Sequence, residues 1–170
     1  MLKCFISKIW SEEFMHEYLL LDAKDKILGR FCSQVAKKAL LGEKIVIINA
    51  KDAIISGTKR NIHEKYLEKL NISTATNPRR GPFWPRRPDT FMRNIIKKML
   101  PTKKIRGKEA LKRVHIYIGG IPDRFQKRYQ TLIPTDIPDS EKKRLSYYNK
   151  FITLENLCTR IGWNKLEIEA

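Results

Sequence analysis

Cysteine is scarce in this chain: Cys4, Cys32 and Cys158 lie far apart among 170 residues. An odd, scattered set makes neither a disulfide framework nor a C-x-x-C metal knuckle, so reduced thiols fit best. Histidine is as sparse, and His16, His63 and His115 show no metal-ligand spacing, which leaves them as surface or satisfied core residues. No run of about 18 apolar residues occurs, so no membrane-spanning helix is expected. The opening "MLKCFISKIW" is interrupted by Lys3 and Lys8, is followed by Glu12 and Glu13, and has no small-residue cleavage site, unlike a signal peptide.

Glycine is also thin, and none of the eight builds a phosphate-binding loop. The first strand runs into "DAKDKILGRF", which lacks both G-x-G-x-x-G and G-x-x-x-x-G-K-[ST], so no nucleotide cofactor is expected. Gly29 and Arg30 could mark an anion-binding helix start, but ordinary packing is the favoured reading. Glu64 and Glu68 share a helix face with Lys65 and Lys69 interleaved, which suits a solvated helix better than a catalytic carboxylate pair. Ser56 in "ISGT" lacks a nucleophile elbow. The chain therefore reads as non-enzymatic, with no catalytic residues, no metal, no cofactor and no small-molecule substrate.

Acid is short as well, at 18 Asp and Glu against 35 Lys and Arg, for a net charge of +17. Residues 1–74 carry 13 basic and 9 acidic side chains (net +4), 75–130 carry 16 and 3 (net +13), and 131–170 carry 6 and 6 (net zero). Charge concentrated in one contiguous third reads as the footprint of a polyanionic partner. A membrane surface would call for a basic amphipathic helix with a free apolar face. The absence of helix-turn-helix, zinc-finger and zipper patterns favours RNA over DNA.

The length suits one domain. Residues 1–14 form an N-terminal extension, and Met15, just ahead of the first strand, is a second candidate initiator. Residues 15–122 form an α/β domain with a basic arm at 76–89, and 123–170 form a C-terminal extension. "EYLLLDA" is a short apolar run suited to a strand covered on both faces. The stretch Ile27 to Leu41 gathers Ile27, Leu28, Phe31, Cys32, Val35 and Ala39 on one helical face, with Gly42 as terminator. "KIVIINA" suits a central strand, so these three pieces predict a βαβ unit. "DAIISGT" is a further short strand, and Ile62, Tyr66 and Leu70 mark a second helix.

"TNPRRGPFWPRRPD", Thr76 to Asp89, follows with four arginines, four prolines and two large aromatics. The prolines exclude helix and central strand and leave a stiffened, extended arm. Arg79, Arg80, Arg86 and Arg87 suit forked hydrogen bonds to phosphate. Phe83 and Trp84 either stack on bases or anchor the arm to its own domain, the latter being favoured.

Asp89 or Thr90 is expected to cap a third helix, whose wheel puts Phe91, Met92, Ile95, Ile96, Met99 and Leu100 on one half. Arg93, Asn94, Lys97 and Lys98 fill the other half. A basic loop and short helix follow, with Lys103, Lys104, Arg106, Lys108, Lys112 and Arg113, and then "VHIYIG" as a closing strand. The polar, proline-punctuated residues 123–150 are expected to wrap over the surface, and a last helix starts after Thr153 with Leu154, Leu157, Cys158 and Ile161 on one side.

Three stretches in order, "ILGRFCSQVAKKALLGEKIVIINAKDAIISG", "TNPRRGPFWPRRPD" and "MRNIIKKMLPTKKIRGKEALKRVHIYIGGIP", closely resemble the large-subunit ribosomal protein family L thirteen in its archaeal and eukaryotic form. The resemblance runs from about Tyr18 to Pro122, and the tail "FITLENLCTRIGW" looks like the archaeal version. The family's N-P-R-R-G-P arm falls on Asn77 to Pro82, its M-L-P on Met99 to Pro101 and its K-x-x-R-G loop on Lys103 to Gly107. The chain departs where the family commonly has "RTVRGML": "RNIIKKML" supplies Lys97 and Lys98 without the glycine.

The resemblance implies a three-layer α/β/α domain with a small, mostly parallel four-stranded sheet. It also implies a cytoplasmic, structural component of the large ribosomal subunit that binds large-subunit rRNA beside neighbouring ribosomal proteins and contributes to subunit assembly. A free regulatory protein acting on mRNA is the alternative.

Overall fold

The computed structural model describes residues 17–127, 129, 131–141 and 150–164. Strand β1 (Glu17–Asp22) pairs in parallel with β2 (Lys44–Ile48), Leu19 facing Ile45 and Leu21 facing Ile47. The connection is helix α1 (Leu28–Leu41), which is the predicted βαβ unit. Gly42 ends α1 at φ 108°, a left-handed conformation that costs glycine little, and its N–H returns to the Ala39 carbonyl at 3.3 Å.

After β2 come a 3-10 turn at Ala50–Asp52, β3 (Ile54–Ser56) and α2 (Lys59–Asn71). The arm leads into α3 (Pro88–Met99), followed by α4 (Ile105–Lys112) and β4 (Val114–Ile116). A single turn α5 (Asp123–Gln126), strand β5 (Thr131–Pro134), a 3-10 turn at Pro138–Ser140, strand β6 (Phe151–Thr153) and helix α6 (Leu154–Arg160) complete the described chain.

The main sheet is wholly parallel in the order β4-β2-β1-β5, so the fold is α/β with a four-stranded sheet. One face, with Leu21, Ile45, Ile47 and Val114, packs against Phe31 and Val35 of α1, Met92 and Ile96 of α3, and Ala110 of α4. On the other face Tyr18, His115 and Tyr129 form an aromatic cluster, Tyr18 and Tyr129 lying edge-on at 4.9 Å between centroids. Single-turn α5 covers that face too, with Phe125 5.9 Å from Tyr117.

Two strands differ from expectation. The "DAIISGT" strand is not in the main sheet but pairs antiparallel with β6, Ile55 opposite Ile152. The fourth strand comes from the stretch expected to wrap over the surface: Thr131–Pro134 lies parallel to β1, Leu132 beside Tyr18. Four residues with a terminal proline give almost no strand signal, and proline is tolerated here because β5 is an edge. Helix α6 forms as expected, its Thr153 side chain accepting from the Asn156 N–H at 3.4 Å. It seals the core with Leu154, Leu157, Cys158 and Ile161.

Candidate nucleic-acid interface

The prolines of the arm do not leave it wholly extended. Pro78 opens a 3-10 turn through Arg80, a position where its missing N–H costs nothing, and the Asn77 side chain accepts the Arg79 N–H at 3.1 Å. Beyond Gly81 the chain runs out and alternates. Phe83 points away from the domain and is 82% exposed, while Trp84 turns inward. The Trp84 ring receives Lys98 of α3 at 4.1 Å from its centroid and Lys69 of α2 at 5.2 Å, so it fastens the arm across two helices. Lys69 also lies 4.7 Å from the Tyr66 ring, and burial, then Lys65 and Lys98, push its ammonium pKa down.

The arm ends by starting α3. Pro88, not Asp89 or Thr90, takes the first helical position with Arg87 as N-cap, because proline's fixed φ is already helical. Asp89 falls in the first turn, favourable to the helix dipole, and accepts from Arg87 at 3.1 Å. Arg86 rests on the end of α6: a Cβ added at Gly162 would stand 3.2 Å from its Nη1. Phe91, Met92, Ile96 and Leu100 are buried as the wheel requires, while Met99 is 43% exposed.

Among the cations expected to bind, Arg79, Arg80, Arg86, Arg87, Arg93, Lys97, Lys98, Lys103, Lys104, Arg106, Lys108 and Lys112 are exposed, and Arg113 is half-buried. Arg93 and Arg113 also bind their own domain. Arg93 donates to the Val114 and Leu111 carbonyls at 3.1 and 3.3 Å, and Arg113 donates to the Ala39 carbonyl at 3.2 Å. Each braces helix ends of its own domain, with further N–H groups to spare. A groove of about 440 Å³ runs between arm and α3, lined by Phe83, Trp84, Pro85, Thr90, Arg93, Asn94, Lys97 and Leu111. The sequence placed Lys69, Thr90 and Asn94 on helices but gave none of them a part in the interface. Asn94 had a signal in its place on the polar half of the wheel and Thr90 in its place at the helix start; Lys69 meets Trp84 across fifteen residues of chain.

The crevice where a nucleotide enzyme of this topology would keep its ligand is filled. In an open parallel sheet the crevice lies where strand order reverses, here between β1 and β5. At that point Ile27 donates its N–H to the Ser140 carbonyl at 2.6 Å, Lys26 binds Asp136 at 2.5 Å, and Ile137 and Ser140 are buried. Lys26 thereby holds the Asp136 carboxyl below its usual range.

Among the described residues, no group of three or more His, Cys, Asp or Glu could hold a metal, and no helix is long and apolar enough to cross a membrane. Cys32 and Cys158 are buried, their thiols pushed up to about 12 by burial, whereas Cys4 and His16 lie outside the described residues. His63 is buried with neither ring nitrogen bonded to a described residue, and burial, then Arg160 and Lys59, lower its pKa. It is therefore neither the surface nor the satisfied core histidine expected.

The family model for ribosomal protein L13 matches residues 16–122, which hold three strands of the main sheet, the arm, α3 and α4. The chain belongs to the ribosomal protein L13 family. Proteins of that family to which it is similar include the large ribosomal subunit protein uL13 of Methanopyrus kandleri, 38% identical over 147 residues, 86% of this chain and 88% of that protein. The uL13 of Methanocaldococcus jannaschii is 41% identical over 145 residues, 84% of this chain and 96% of its own. That of Archaeoglobus fulgidus is 33% identical over 147 residues, covering 86% and 89%. The L13 family is structural rather than enzymatic, in keeping with the filled crevice. These archaeal relatives cover more of the chain than the family model does, consistent with the archaeal character of its tail.

Proposed function

We propose that this protein is a cytoplasmic structural constituent of the large ribosomal subunit, contacting neighbouring ribosomal proteins there, and that it binds and stabilises large-subunit rRNA. Membership of the L13 family carries the ribosomal role. The observation that carries the rRNA contact is the arrangement of the cations. Arginines of the arm, the outer face of α3 and the Lys103 to Lys112 segment follow one another without an intervening acidic surface except Asp89 and Glu109. Both of those acids are already paired, with Arg87 and Arg113.

A rigid domain presenting fixed cations neutralises phosphates where rRNA helices converge, and Trp84 pre-orders the arm so that less entropy is lost on binding. Shape and phosphate are what a protein reads on paired RNA, so these phosphate contacts support assembly without themselves reading sequence.

The test is incorporation. Changing Arg79, Arg80, Arg86 and Arg87 together to alanine removes four exposed cations and no buried side chain, losing only the Arg86 contact with the end of α6 and the Arg87–Asp89 pair. The circular dichroism spectrum of the isolated protein should therefore hold, with at most a small fall in melting temperature. The variant should be lost from large subunits on sucrose gradients while the unaltered chain cosediments with them. Normal incorporation would remove the arm from the interface. Failure of the unaltered chain to cosediment would favour a free RNA-binding protein.

A further inference from the structure

Phe83 is the most exposed large hydrophobic side chain among the described residues, at 82%. Its exposure is built in: Pro82 and Pro85 stiffen the backbone on either side, and Trp84, clamped by Lys98 and Lys69, turns its neighbour outward by the two-residue alternation of extended chain. A domain that merely needed the arm held down has that in Trp84. The Phe83 ring is left as one wall of the groove beside α3.

The rest of that groove has a consistent chemistry. Lys97 and Arg93 supply positive charge, and no carboxylate lines it. Arg93 is fixed in place by the Val114 and Leu111 carbonyls, so its charge is held at the rim. Asn94 contributes an amide with both donors and an acceptor, and Thr90 a hydroxyl. An aromatic face, two cations and one amide together match a nucleotide: π-face for the base, charge for the phosphate, amide for the base edge.

We infer that this groove receives one unpaired nucleotide of RNA, its base stacked on Phe83 and its edge read by Asn94, with Lys97 and Arg93 on the adjoining phosphate. This rests on the rRNA-binding reading above and adds to it a contact that is neither purely electrostatic nor indifferent to base identity. Phe83 and Trp84 thus have separate roles, one toward RNA and one toward the protein.

The experiment measures fluorescence anisotropy of the full chain with labelled single-stranded RNAs made of adenine, cytosine or uracil alone, and with a fully paired hairpin of similar length. Phe83→Leu, still apolar but without a π-face, should weaken single-strand binding by roughly 5- to 100-fold. It should leave hairpin binding and the salt slope unchanged. Phe83→Tyr should stay near the unaltered protein, and Asn94→Ala should narrow the affinity differences among the three bases.

Equal loss on single strand and hairpin, or no loss with Phe83→Leu, would overturn the inference. Unchanged base preference in Asn94→Ala would overturn the role of the amide. A chain that binds none of these RNAs in a salt-dependent way would instead sink the rRNA reading itself.

Discussion

At Gly107 an added Cβ would stand 2.2 Å from the Pro101 carbonyl oxygen, and that oxygen is held by the Lys104 N–H at 2.9 Å. The turn cannot retreat without losing this bond, so the glycine of the K-x-x-R-G loop is demanded by backbone packing. Gly29 on α1 has nothing within 4 Å of the same virtual atom. Opposite signs are therefore expected in urea denaturation. Gly107→Ala should destabilise by about 1–3 kcal/mol or more, and Gly29→Ala should stabilise by about 0.5–1 kcal/mol through helix propensity. A Gly107→Ala protein as stable as the parent would show that this backbone contact is not tight in solution. The motif was visible in the sequence, but its reason was not, since nothing local reveals that residue 107 meets residue 101.

At the scale of the element, the arm is positioned by one indole and two lysines. Trp84 is half-buried, and Lys98 and Lys69 on its faces come from different helices, so removing the ring frees the arm from both. Trp84→Ala should leave the far-UV spectrum unchanged and cost about 1–2 kcal/mol of local stability. Backbone amide exchange over residues 79–87 should then quicken about tenfold or more, the core amides staying as they were. Exchange unchanged in the arm would mean that the proline-fixed backbone and the Asn77 turn suffice to order it. The arm's place, stiffness and charge were legible from proline and arginine alone. Which aromatic turns inward was not, because extended backbone fixes only that neighbours point oppositely, and α2 and α3 choose the side.

For the whole molecule the deciding quantity is where +17 sits. Some cations are also engaged within the chain: Lys26 is bound to Asp136, Arg60 to Glu64, and Arg93 and Arg113 donate to backbone carbonyls while keeping their charge. What remains outward is concentrated on arm, α3 and the following loop and helix. With about eight phosphates contacted, log K for rRNA binding should fall against log salt with a slope of about −6 to −7. A slope near zero in filter binding would exclude an electrostatic mechanism. Such a slope measures the number of cations engaged, so a value near half of this would show that only the arm or only the helix face meets RNA.

The sequence by itself determined the βαβ start, the amphipathic α3, the arm and the basic third. Each of these is written in periods of two or 3.6 residues, in proline, or in net charge, all of which act over short spans of chain. The tertiary structure alone decided that Thr131–Pro134 closes the main sheet while Ile54–Ser56 leaves it for a pairing with Phe151–Thr153. It also sent Arg93 to the end of α4 and Arg113 to the end of α1, and separated Phe83 from Trp84. These outcomes depend on hydrogen-bond and ring contacts between residues distant in sequence, where local pattern carries no information.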